Sequence, residues 1–144
     1  MKSIDQQFFF PHPAEDVWKY LTTAELLEQW LMKNDFQPVV GHHFQFRTSP
    51  KPALNFDGIF HCQVLEIVPF KKLSYSWKGG PGNGEFAFDS LVEWTLQTTD
   101  KGTDLFLKHS GFSSPDTLGM YTAMMNGWPK NIQKIIDRLN AAKS

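Results

Sequence analysis

His109, Ser110, Cys62 and the pair His42-His43 are the side chains whose chemistry could make this chain an enzyme. A histidine beside a serine suggests a nucleophile and its base. Adjacent residues of a strand point to opposite faces, however, so His109-Ser110 does not form that pair. His109 shares parity with Leu105 and Leu107 and is expected to point inward, where a neutral imidazole either manages a proton or bonds a neighbour such as Tyr121 or a backbone carbonyl. Cys62 is the only cysteine. That excludes an internal disulfide and a thiolate metal cluster, and leaves the usual role of a small buried hydrophobe. His12, His42, His43 and His61 show no i, i+4 pair and no zinc spacing, so neither a metal site nor a cofactor is expected. Asp57, Glu66, Glu85, Asp89 and Glu93 are scattered, with Glu66 and Glu93 expected on the solvent face. A paired-carboxylate mechanism has no support, and no catalytic residue is assigned.

The stretch WKGGPGNGEF, residues 77–86, holds four glycines in six positions and raises the question of phosphate binding. A phosphate loop needs a strand that feeds glycine-rich backbone into a helix N-terminus, whose amides and dipole hold the anion. Here strand patterns flank the loop on both sides, and Gly82-Asn83-Gly84 is a turn signal. A hairpin tip is expected, one able to act as a mobile rim over whatever lies between the flanking elements.

The chain has 144 residues and 41% hydrophobic content, the size of one ordinary domain, residues 1–144, with one core. Fourteen basic residues balance fifteen acidic ones, with no run of five like charges, which argues against nucleic acid or an anionic membrane as partner. No stretch approaches the roughly 18 apolar residues of a membrane span and the N-terminus lacks an apolar leader, so a cytoplasmic protein is expected. The unusual figure is 15% aromatic, with thirteen Phe and five Trp. So many rings must be accommodated somewhere.

Phe8-Phe9-Phe10 closes a short first strand that Pro11 and Pro13 stop, with Pro13 in the first turn of a helix. Val17, Trp18 and Leu21 share one face of that helix, and Glu15 and Asp16 suit its positive end. Thr22-x-x-Glu25 reads as a capping box opening a second short helix with Leu26, Leu27 and Trp30 apolar. From Val39 the period changes to two. Phe44 and Phe46 alternate with polar residues, and Leu73, Tyr75 and Trp77 point inward on another strand. Phe56–Val68 has muddled parity, Phe60, Cys62 and Val64 on one face but Leu65 and Ile67 on the other, which predicts a bulge. Val92, Trp94 and Leu96, then Leu105, Leu107 and His109, complete an antiparallel meander. Ser114-Pro115-Asp116 is a helix start. Tyr121, Met124, Trp128, Ile132, Ile135 and Leu139 form one apolar stripe behind it, and Pro129 predicts a kink or break.

This order of elements, α+β with a curved antiparallel sheet of about six strands, two short helices after the first strand and a long C-terminal helix, resembles the START-like helix-grip superfamily, which includes the birch-pollen allergens. Four stretches are more specifically similar to the homologues of the heat-shock protein 90 ATPase activator's C-terminal domain: AEDVWKYLTTAELLEQW at 14–30, LEIVPFKKLSYSW at 65–77, LKHSGF at 107–112 and the GW pair at 127 and 128. These are core and turn positions, which specify fold rather than activity.

The resemblance implies a cavity between sheet and helix. Large rigid rings on a curved sheet facing a kinked helix are hard to pack without a gap. The expected ligand-binding lining is Phe44, Phe46, Phe60, Tyr75, Trp77, Trp94, His109, Tyr121, Met124 and Trp128, with the filled core as the alternative. Three functions remain, the first following from the aromatic cavity in agreement with the resemblance and the other two implied by the resemblance. The first is binding of a small hydrophobic or aromatic molecule, lipid or polyketide-like. The second is an aromatase or cyclase in the same pocket. The third is a co-chaperone-like module with chaperone contact in the stress response. An exposed apolar patch would support a homodimer, although the pattern locates none.

Overall fold

Period-two burial builds most of the molecule. A computed structural model describes residues 2–112 and 118–143. In it, strands β1 (Lys2–Phe10), β2 (Lys33–Asn34), β3 (His43–Arg47), β4 (Ile59–Val68), β5 (Lys72–Gly79), β6 (Phe88–Thr99) and β7 (Gly102–Phe112) form one antiparallel sheet in the order β1-β7-β6-β5-β4-β3-β2. Helices α1 (Ala14–Thr22) and α2 (Ala24–Trp30) follow β1, and α3 (Leu118–Lys143) closes the chain. The sheet curls around α3. The core is the inner face of every long strand laid against one stripe of that helix, completed by Val17, Trp18 and Leu21 of α1 and Leu27 and Trp30 of α2.

The register puts the inner residues side by side. Phe46 pairs with Phe60, Trp77 with Ser90, Leu73 with Trp94, Val92 with His109 and His109 in turn with Ile4. The expected irregularity in β4 is a bulge between Val64 and Glu66, where two steps on β4 match one from Tyr75 to Ser74 on β5. One extra residue in a period-two element exchanges the faces. That is why Phe60, Cys62 and Val64 are buried before the bulge, whereas Ile67 turns toward the core after it, opposite Leu73. The glycine-rich loop is a hairpin tip. Asn83 and Gly84 both have positive φ, 58° and 79°, and the Glu85 amide donates to the Gly82 carbonyl, the two-residue type I′ turn that Asn-Gly favours. β6 follows it, so no helix dipole is offered to an anion.

Three local expectations, on the first strand, the capping box and Pro13, are corrected. The first strand is not short, because Ile4 and Gln6 extend the alternation of Phe8 and Phe10 back to Lys2. There is no capping box: Thr23 is the N-cap of α2, and the Thr22 hydroxyl donates instead to the Trp18 carbonyl at 2.8 Å, in the last turn of α1. The phase of the two helices decides this, since α1 runs through Thr22. Pro13 likewise stands just before α1 as its N-cap. The sheet has seven strands because the two-residue β2, too short to show a period, pairs with β3. The helix start at Ser114-Pro115-Asp116 lies outside the described residues.

Of the kink or break expected at Pro129, the break does not occur; α3 runs through it. Proline removes the amide that would bond the carbonyl of Met125. The side chain of Gln6 on β1 replaces it, its Nε2 donating to the Met125 oxygen at 3.0 Å. Met120, Met124, Trp128, Ile132, Ile135 and Leu139 are buried along one face. Each such side chain contributes about 1.5–3 kcal/mol on burial, so the stripe outweighs the roughly 3 kcal/mol that an interior proline costs. The helix therefore stays whole. Replacing Gln6 by Leu is expected to lower stability by about 0.5–1 kcal/mol. The loss should shrink in a Pro129→Ala background, where the helix supplies its own amide; equal losses in a denaturant double-mutant cycle would refute the role given to Gln6.

Candidate functional site

The inward rings of β3, β4, β5 and β6 meet Trp128 of α3 in a continuous aromatic cluster. Trp128 lies 5.5 Å from Trp77 and 5.3 Å from Trp94, edge-on to the latter. Trp77 in turn lies 4.3 Å from Phe60 and 5.2 Å from Phe46, and Phe44 packs edge-on against Phe46 and Tyr75. All are buried. Offset and edge-to-face contacts of this kind add about 0.5–1.5 kcal/mol per pair beyond the area they bury. Seven of the expected lining residues, Phe44, Phe46, Tyr75, Trp77, Trp94, His109 and Trp128, are thus brought together chiefly by packing on one another. Tyr121 is only half-buried. Its ring sits against Phe112 and its hydroxyl donates to the Ser3 carbonyl at 3.4 Å, at the β1 side. Met120, four residues before Met124, heads the buried stripe in its place.

The polar atoms of the cluster form a directed chain. The Trp128 indole N–H donates to His109 Nδ1 at 3.2 Å. An indole nitrogen only donates, so Nδ1 is unprotonated and the neutral ring carries its proton on Nε2. That proton goes to Ser90 Oγ, 2.9 Å away, and the Ser90 hydroxyl donates to the Trp77 carbonyl at 2.7 Å. Both ring nitrogens are therefore occupied, by Trp128 and Ser90 rather than by Tyr121 or a carbonyl. The polarity is also the reverse of a catalytic dyad, in which the histidine accepts the serine proton. Burial pushes the His109 pKa down to about 3. Cys62 is no better as a nucleophile, because burial, reinforced by the charge of Asp35, pushes its thiol well up. Tyr75 accepts from the Trp94 indole at 3.0 Å, and burial raises its phenol too. Among the described residues no three His, Cys, Asp or Glu side chains group as metal ligands do.

Open space lies beside this cluster. A hollow of about 210 Å³ is lined by Leu31 and Met32 after α2, Thr48 and Lys51 after β3, Phe56 before β4 and Phe60 at its start, and Met120, Ala123, Met124, Gly127 and Asn131 on α3. Of the expected lining residues only Phe60 and Met124 face it. Met120 was legible from its i, i+4 spacing to Met124, and Ser90 from its parity with Val92 and Trp94. Leu31, Met32 and Phe56 lie in aperiodic segments, where no local signal marks them. Two buried side-chain polar atoms among the described residues have no partner, Gln6 Oε1 and Trp77 Nε1.

A curled antiparallel sheet gripping a long C-terminal helix, with two short helices after the first strand, defines a helix-grip protein of the START-like class. A family model described as Activator of Hsp90 ATPase homolog 1-like protein matches residues 11–140, and the chain belongs to that family. The crystal structure of protein MLL2253 from Mesorhizobium loti is similar, at 36% identity and a TM-score of 0.85 over 97% of this chain and 98% of that one. The Aha1 dimer from Colwellia psychrerythraea has the same fold, with a TM-score of 0.78 and 20% identity over 100% of both chains. DynU16, a protein of the dynemicin biosynthetic locus, also shares it, with a TM-score of 0.78 and 20% identity over 99% of this chain and 48% of its own. No curated protein matches. Among the described residues no helix is long and apolar enough to cross a membrane.

Burial of His109 sets a pH dependence. Above its unfolded pKa of about 6.5 the ring is neutral in both states and contributes nothing to the slope. Below that, the unfolded chain takes up a proton that the folded one refuses until pH is near 3. Stability should therefore fall as pH drops through this window, with a slope from His109 approaching about 1.4 kcal/mol per pH unit. Denaturant midpoints between pH 7.5 and 4.5 should be shallower in pH for His109→Gln than for the wild type. Parallel curves would show that the imidazole is not held neutral.

Proposed function

We propose that the protein binds a small apolar or aromatic molecule in the hollow between α3 and the β3–β4 end of the sheet, where Phe60 brings the edge of the ring cluster to its wall. The observation that carries this reading is the hollow itself, walled mainly by Leu31, Met32, Phe56, Phe60, Met120 and Met124. Concave apolar sites with few polar groups are where small ligands bind. Its volume sets the class. At about 210 Å³ it falls below the roughly 300–1,000 Å³ of sites for drug-sized ligands, but exceeds the roughly 150 Å³ of a cavity that takes up benzene. A single-ring compound or a short acyl chain fits. A lipid or polyketide-like chain would extend through the open mouth or need the three methionines to repack, and unbranched thioether side chains do so readily.

Binding is preferred to an aromatase or cyclase activity because the imidazole within the ring cluster, His109, has both nitrogens engaged. It is preferred to chaperone contact because the hollow belongs to this chain's own geometry, whereas that contact rests on the family description. A homodimer of this cytoplasmic binding protein has the Colwellia dimer as its support.

Toluene, a single ring without polar groups, should bind saturably, read as chemical-shift changes at the Met32, Met120 and Met124 methyls that line the hollow, and be displaced by other small aromatics. Met124→Trp, which places a ring in the hollow, should weaken binding by about tenfold or more while keeping Tm within about 5 °C of the wild type. Absence of saturable binding to the wild-type protein would overturn the reading, and unfolding of the variant would identify Met124 as tightly packed core.

A further inference from the structure

Trp77 is the one tryptophan of the central cluster whose indole N–H is unanswered. Trp94 donates to Tyr75, Trp128 to His109 and Trp30 to the Tyr20 carbonyl, whereas Trp77 Nε1 is buried with no acceptor. Native proteins rarely leave a buried donor unpaired, because the lost hydration is not recovered. The ring cannot turn to find a partner of its own. It is fully buried, held between Phe46, Phe60, Trp128 and His109, and its backbone carbonyl is tied to Ser90. The neighbouring acceptors are already engaged, Tyr75 Oη by Trp94, His109 Nδ1 by Trp128 and Ser90 Oγ by His109. The other orphan, Gln6 Oε1, sits on β1, three strands from Trp77 in the sheet order. Phe60 connects the two regions, since it lines the hollow and lies 4.3 Å from the Trp77 ring.

We infer that the ligand of the hollow carries a hydrogen-bond acceptor, a ketone, aldehyde or ester oxygen on an otherwise apolar or aromatic body, and that this oxygen takes the Trp77 indole proton once the Phe60 ring yields. The inference rests on the ligand-binding reading above and narrows it. Trp77 acts as a specificity residue rather than as a core filler alone. A free indole donor behind the Phe60 wall of the hollow favours carbonyl compounds over their hydrocarbon isosteres.

Acetophenone and α-methylstyrene make the test, since they are isosteres that differ by oxygen against methylene. Both should bind the full chain, acetophenone about three- to tenfold tighter. Acetophenone alone should move the Trp77 indole resonance downfield in proton–nitrogen correlation spectra. In Trp77→Phe the preference should vanish while α-methylstyrene still binds. Should that variant fail to fold, the wild-type indole resonance, assigned through its backbone connectivity, carries the test. A Trp77 resonance that acetophenone leaves unmoved, including one that keeps a cross-peak to a bound water, overturns the inference. If α-methylstyrene binds in that case, the ligand-binding reading stands; if neither compound binds, both fall.

Discussion

The wedge of Trp128 between Trp77 and Trp94 is the contact on which the rest of the structure depends. It places α3 in the sheet at one register, because an indole inserted between two others cannot slide by a turn without leaving a gap in the densest part of the core. Its N–H also decides the tautomer of His109, and through Ser90 that choice reaches the backbone of Trp77. Packing and hydrogen bonding thus specify the same arrangement, and a buried polar chain satisfied at each link rigidifies a core where a broken one would destabilise it.

The same contact explains where the free space is. The surplus of rings is used up on the inner face from β3 to β6, where flat side chains stack and leave little room. Space opens at the margin of the cluster, where Met120 and Met124 of α3 meet Met32 and the start of β4. Flexible thioether chains fill irregular volume without dictating its shape. A rigid cluster beside an adaptable wall suits the proposed binding of small apolar guests of varying outline.

Much of the fold was readable because its signals are local. Strand parity assigned Tyr75, Trp77, Trp94 and His109 to the inner face, the Asn83-Gly84 pair named its own turn, and the doubled parity of β4 announced a bulge. Misreadings arose where two local signals competed or a distant group intervened. Thr22 and Thr23 were equally good caps by composition, and helix phase chose Thr23. Pro129 reads as a helix breaker, yet the helix continues because burial of its apolar stripe outweighs the proline and Gln6, more than a hundred residues away, supplies the missing donor. No window of the sequence contains both partners.

The amino-acid order by itself determined which side chains turn inward, since that depends on a two-residue or 3.6-residue period and on turn chemistry within a few positions. Whether those side chains meet or stand apart is a different quantity. It depends on how closely the sheet approaches the helix, the summed result of every contact along both, and so only the tertiary structure could decide that most of the rings fill the core while Phe60 and Met124 border a hollow. The same holds for the solitary proton of Trp77: a donor is unpaired only with respect to everything folded around it.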